Sequence, residues 1–176
     1  TYSFFVTYAN IDGFAPKSAT APQKPRSKLD QWILSELHAL TQTVTTAMNE
    51  YKLTDATRPM LDFVDNLSNW YVRRSRRRFW KSESDADKKE AYATLHYVLI
   101  TFSQLLAPFM PFTADAIFKN LSGKRSVHLE DWPTADKKSI NQKLNEEIRT
   151  IRMIVSLALR VRAKTTIKVR QPLSTL

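Results

Sequence analysis

Between Asn69 and Lys81 the chain carries Arg73, Arg74, Arg76, Arg77, Arg78 and Lys81 with no acid, among the large aromatics Trp70, Tyr71, Phe79 and Trp80. This stretch continues an apolar pattern of Met60, Phe63, Val64, Leu67, Trp70 and Tyr71 at spacings of three and four, which is the period of a helix with one buried face. At about 100° per residue those six side chains share roughly a third of a turn, and the arginines fan over about 200° beyond it. A single rod must therefore be packed into a core at one end and carry a cationic sleeve at the other. Guanidinium forks match phosphate oxygens and aromatic faces stack on unstacked bases, so the pattern suits nucleic acid. The blander reading is a solvated basic helix end or an import signal.

The remaining composition narrows the fold. Gly13 and Gly123 are the only glycines in 176 residues, which argues against a β-rich or loop-heavy chain. Without cysteine there is no disulfide and no thiolate metal site. No apolar run approaches the ~20 residues of a membrane span, so a membrane partner is not expected. The net charge of +10 is concentrated: residues 70–81 and 148–176 together carry more than the total, and neither contains an acid. Two basic zones on a mildly acidic body form an electrostatic footprint for a polyanion.

Helix periodicity recurs along the chain. Residues 1–9 read as a short helix and 10–28, with Gly13, Pro16, Pro22 and Pro25, as a linker. Ser27 and Asp30 have capping-box spacing ahead of a helix to about residue 51. The arginine helix starts after Thr54 or at Arg58-Pro59, with Pro59 predicting a kink or a late start. Ser84 with Asp87 caps a helix that Pro108 stops; a short helix covers 112–121, and residues 122–138 form a loop. Ser139 and Gln142 again have capping-box spacing, before a last helix from Ile140 to about Arg162 with two apolar stripes. The tail Thr165 to Arg170 alternates, predicting a short C-terminal strand whose partner lies beyond Leu176. The predicted fold is all-α, an antiparallel helical bundle. The expected division is a connecting helix and linker over 1–28, a helical bundle over 29–138, and a long helix with the start of a following region over 139–176.

Catalytic constellations are missing. His38, His96 and His128 have no paired metal-ligand spacing, and the two glycines cannot build a phosphate loop. His128-Leu129-Glu130 is half of a zinc-deaminase motif without its cysteine pair. Asp62 and Asp65 read as solvated acids, and Trp32 and Trp132 as core anchors. The residues describe a binder with no catalytic group and no metal.

Leu67 to Trp80 closely resembles the signature helix of the anticodon-binding domain of isoleucyl-tRNA synthetases, class I enzymes. Leu29 to Ser35 is similar to the opening of that domain, and Leu106 to Phe112 to a helix break shared by the isoleucine, valine, leucine and methionine enzymes. Ser126 to Pro133 and Lys168 to Leu173 resemble stretches specific to the isoleucine enzymes, and Thr1 to Tyr8 the segment joining catalytic body to bundle. The family's His-Ile-Gly-His and Lys-Met-Ser-Lys-Ser motifs, its editing domain and its C-terminal region are absent. The resemblance thus implies a fragment of a cytoplasmic enzyme that attaches isoleucine to its tRNA using ATP. The fragment would supply recognition of the anticodon stem-loop and need no cofactor, with ATP bound in the parent's catalytic domain. Its partners would be that tRNA and the parent's catalytic and C-terminal domains. A helical protein–protein module with an incidental basic end, or a DNA-binding helical domain, are the alternatives; no short helix–turn–helix pair supports the latter.

Within the arginine stretch, Arg73, Arg76 and Arg77 are the leading candidates for RNA contact, Trp80 is a candidate stacking group or else a ring packed on a neighbouring loop, and Asn69 is a weaker candidate for a base edge; Arg74, Arg78 and Lys81 complete the set. On the wheel Arg74 and Arg78 fall in line with Leu67. Arg74 is expected to lie back over Trp70 and Tyr71, its stem on apolar surface and its head on an acid or carbonyl. Highly purified protein is expected to show no isoleucine-dependent ATP–pyrophosphate exchange, and a radiolabelled exchange assay checks this.

Overall fold

A computed structural model describes residues 1–15, 25–80 and 85–172. Among them the elements are α1 (Tyr2–Ile11), α2 (Lys28–Asn49), α3 (Leu53–Asp65), a π-helical segment (Asn66–Val72), α4 (Arg73–Trp80), α5 (Asp85–Leu106), α6 (Pro111–Ser122) and α7 (Gln142–Lys164). Short 3₁₀ turns occupy Val127–Leu129 and Lys137–Ser139. The chain forms two compact units, Thr1–Ile140 and Asn141–Leu176. No helix of the described residues is long and apolar enough to cross a membrane.

In the first unit α2 is the central helix. Trp32, Ile33, Leu37 and Val44 on it are buried, as are Asp30, Ser35, His38 and Thr41. A three-residue turn leads from α2 to α3, and the pair packs as a hairpin. Tyr51 in that turn has φ +58°, and Lys52 and Tyr51 donate their N–H groups to the carbonyls of Ala47 and Met48. That is a Schellman motif with tyrosine in the position glycine usually fills. A four-residue connection joins α5 and α6 into a second hairpin, which packs on α2 through α5. Helix α1 lies against α5, with Phe5 next to the rings of Tyr92 and His96, and Phe4 edge-on to Phe79 of α4.

Several local expectations are corrected. Pro59 lies inside α3, which starts at Leu53 with neither a late start nor a Thr54 cap. Asp30 does not cap its own helix; Glu90 of α5 instead accepts the N–H groups of Arg26 and Ser27. Asn141, not Ser139, caps α7, accepting from the Leu144 N–H at 3.0 Å, while the Ser139 hydroxyl donates to Asp136. The expected Ser84 cap lies outside the described residues. No strand forms among the described residues, and the tail expected to be one is a turn. Arg162 Nη1 there donates to the carbonyls of Lys168 and Gln171, acceptors that a strand would need for its ladder. Trp32 is a core anchor at 1% exposure. Trp132, at 36%, is only partly one, its indole N–H donating to the Thr45 hydroxyl.

Two buried histidines give the unit a pH dependence. His38 accepts the Asp136 N–H on Nδ1, and His96 Nε2 sits 3.0 Å from the Leu121 carbonyl. Burial lowers both pKa values, against the opposing pull of Asp136 and of the Leu121 carbonyl respectively. Because the folded values lie below the unfolded one, stability is fully present above pH ~6.5 and falls as the pH drops through the lower folded values. Urea midpoints are expected to fall between pH 7.5 and 5.5, and His38→Gln with His96→Gln is expected to flatten that slope.

Candidate nucleic-acid interface

Helix α3, the π-helical segment and α4 form one continuous rod. Its buried positions include Phe63, Leu67, Tyr71, Ser75 and Phe79, a repeat of four residues. An α-helix advances about 400° in four residues, so such a stripe would wind off the core by about 40° at each step. The wider i→i+5 turns of Asn66–Val72 advance less per residue and hold the stripe on the core. This register differs from the uniform wheel. Val64 is 43% exposed and Trp70 only half-buried, while Asn66, Val72 and Ser75 are buried instead.

Arg78 anchors the far end. Its Nη1 and Nη2 donate to Asp30 Oδ1 and Oδ2, each at 2.8 Å. Its Nε and Nη2 donate to Asp87, at 3.0 and 2.7 Å. The Tyr71 hydroxyl donates to Asp30 Oδ1 at 2.6 Å. Asp30 lies in the first turn of α2 and Asp87 in that of α5, while Arg78 is in the last turn of α4. Each charge therefore sits at the helix end whose dipole favours it. Burial opposes the Arg78 charge, yet its hydrogen bonds to the Asp30 and Asp87 carboxylates raise its pKa overall. Burial, followed by the Asp30 charge, pushes the Tyr71 hydroxyl well up, so it remains a donor.

Within α4, taking Arg78 as the origin, Ser75 and Phe79 point within about 100° of it on the buried side. Arg73, Arg76, Arg77 and Trp80 then share a face about 100° wide on the opposite side. All four are exposed, and the three arginines have no hydrogen-bond or ion-pair partner among the described residues. Trp80 is 54% exposed, with one side against the Tyr8 ring at 5.9 Å. The face thus joins three open guanidiniums to a half-open indole.

The remaining predicted positions divide. Arg74 is exposed and lies over the Trp70 ring at 5.1 Å, as expected of its lean, but its head rests on the indole face and not on an acid. The acid-bound arginine is Arg78, one turn further along α4, where Asp30 and Asp87 come within reach. Asn69 donates its amide to Asp65 at 2.6 Å. Lys81 lies outside the described residues. Sequence reasoning missed Trp70, assigned to the core but half-exposed beneath Arg74; the four-residue spacing of Phe63, Leu67, Tyr71, Ser75 and Phe79 was the available signal. Asp62 and Asp65 are exposed. Glu130 is paired with Lys124, and among the described residues no His/Asp/Glu group is arranged to hold a metal.

The bundle thus fixes a cationic face of α4 against its neighbours. The chain belongs to the anticodon-binding domain family of tRNA ligases, whose model matches residues 30–176. It is 52% identical to an isoleucine–tRNA ligase of Dehalococcoides mccartyi (strain CBDB1) over 98% of the chain. It is 47% identical to one of Bacillus thuringiensis (strain Al Hakam), and 46% identical to isoleucine–tRNA ligase 2 of Bacillus anthracis, each over 99% of the chain. The chain spans 17–18% of the length of these relatives.

Removing Arg78 would leave Asp30, at 0% exposure, charged and short of its main partner. Arg78→Ala is expected to destabilise the fold by roughly 3–5 kcal/mol. Arg73→Ala and Arg77→Ala are expected to stay within about 0.5 kcal/mol, and Arg74→Ala within about 1 kcal/mol, the value of an exposed cation–π contact. Urea unfolding midpoints of the four variants check the order.

Proposed function

We propose that the chain is the tRNA-recognition part of a longer isoleucine–tRNA ligase and that the exposed face of α4 binds the anticodon stem-loop of an isoleucine tRNA. The observation that carries this is the sharing of one face by Arg73, Arg76, Arg77 and Trp80, with no cation among the three arginines engaged by the described residues. An anticodon loop offers closely spaced phosphates and splayed bases, which forked cations and an indole can hold. In this reading Arg73, Arg76 and Arg77 contact the loop and Trp80 stacks on a base. Arg74 widens the face from its seat on Trp70, and Asn69 offers a secondary base-edge contact once released from Asp65. Arg78 holds α4 in place, and Lys81, which follows Trp80 in the sequence, is a further candidate contact. The parent's catalytic domain would join isoleucine to the tRNA with ATP in the cytoplasm, and this chain itself would require no cofactor. Its protein partners would be the parent's catalytic and C-terminal domains.

The test is anisotropy titration of the stem-loop over a range of salt. With about three or four phosphate contacts the log–log slope is expected to be near −2 to −3. Arg73→Ala and Arg77→Ala are expected to weaken binding several-fold at fixed salt without loss of fold. A flat salt response would overturn the proposal, as would equal preference for duplex DNA. Salt-insensitive capture of a protein partner in place of the RNA would favour a helical protein-interaction module.

A further inference from the structure

The unit Asn141–Leu176 carries its own cationic device. α7 ends in a second Schellman motif: the Thr166 N–H donates to the Ala163 carbonyl at 3.3 Å and the Ile167 N–H to that of Arg162 at 2.9 Å. Thr166 adopts φ +58° to make this reversal. Glycine is the usual residue there, and a β-branched side chain in the left-handed region is strained, persisting only where its surroundings over-determine it. The surroundings here include Arg162, whose Nη1 donates to the carbonyls of Lys168, Gln171 and Val169 at 2.8, 2.9 and 3.4 Å. The tail is thereby folded back as a hook.

The clasp decides which groups the hook presents. A helix C-terminus normally exposes carbonyl oxygens and the negative end of its dipole, both unfavourable to an anion. Here the carbonyls of Val161, Arg162 and Ala163 accept the N–H groups of Thr165, Ile167 and Thr166, and three tail carbonyls accept from Arg162. Arg160, Lys164, Lys168 and Arg170 are exposed, have no partner among the described residues, and have no acid near them in sequence from Ile148 onward. Acceptors are turned inward and cations outward.

We infer that the Arg162-clasped hook is a second RNA contact, in which Arg160, Lys164, Lys168 and Arg170 take the phosphate backbone of a tRNA, separately from the α4 face. The identity of the ligand rests on the RNA reading of α4; the site itself does not. Two linked contacts on one RNA raise affinity well beyond either alone.

The test uses the full 176-residue chain and a transcript of a whole isoleucine tRNA, titrated at several salt concentrations. Lys164→Gln/Lys168→Gln/Arg170→Gln is expected to weaken binding at least tenfold at low salt and to flatten the log–log slope by about two, at roughly 0.7–0.9 per lost phosphate contact. Thr166→Pro removes the left-handed turn without changing any charge and is expected to weaken binding several-fold. Thr166→Gly keeps the turn and is expected to bind as the parent chain does. If the triple variant binds unchanged while Arg73→Gln/Arg77→Gln does not, the hook is overturned and the α4 reading stands. If Thr166→Pro binds unchanged, an organised site is overturned. If the triple variant loses binding to phosphatidylserine vesicles but keeps the tRNA, the surface is lipid-directed and the inference fails.

Discussion

Three helix ends meet at Arg78, and the presentation of the basic face depends on that meeting. The last turn of α4 brings a cation to the first turns of α2 and α5, each of which supplies an aspartate. Forked geometry lets one guanidinium serve both carboxylates, and Tyr71 takes up a further lone pair on Asp30. A lysine could not span this arrangement with the same fixed donors. Burying Asp30 completely is tolerable because its charge is compensated on the spot and because the N-terminus of α2 favours a negative group. With Arg78 so engaged, α4 is pinned along one side, and its other arginines are held outward.

The π-helical segment solves a problem of pitch. The rod must keep a four-residue buried repeat on the core from Phe63 to Phe79, which a uniform α-helix cannot do over that length. Widening Asn66–Val72 offsets the drift, so that Ser75 and Phe79 of α4 stay on the core. Helical segments of this kind are often found at functional sites, and here the physical reason is specific: the widened turns keep the buried stripe of the rod on the core.

The two positive-φ non-glycine residues among the described residues, Tyr51 and Thr166, both sit at Schellman helix ends. At Tyr51 the strain closes the short turn of the α2–α3 hairpin, so it serves packing. At Thr166 the strain folds a basic tail onto its own helix end. The same backbone device thus contributes to the core in one unit and to a charged surface in the other.

Much of this was legible from residue spacing alone. Periods of three and four, two glycines and no cysteine were sufficient for an all-α bundle, and the concentration of charge marked the rod from Asn69 as the basic element. The resemblance of Leu67 to Trp80 to a synthetase domain agrees with the matching family. Local patterns were less reliable wherever a distant group competed for the same atoms. Asp30 has capping-box spacing, yet its carboxylate is taken by Arg78 and Tyr71, residues 48 and 41 positions away, and Glu90 accepts the N–H groups at the helix start. The tail alternates like a strand, yet Arg162 draws its carbonyls back to the helix end. Arg74 and Arg78 share one line on a uniform wheel, and only the folded bundle, which brings Asp30 and Asp87 to the last turn of α4, separates the arginine that rests on Trp70 from the one that enters the core. Sequence sets the period and the charge. Which donor reaches which acceptor depends on helix ends brought together from distant parts of the chain, and that is decided only when the bundle closes.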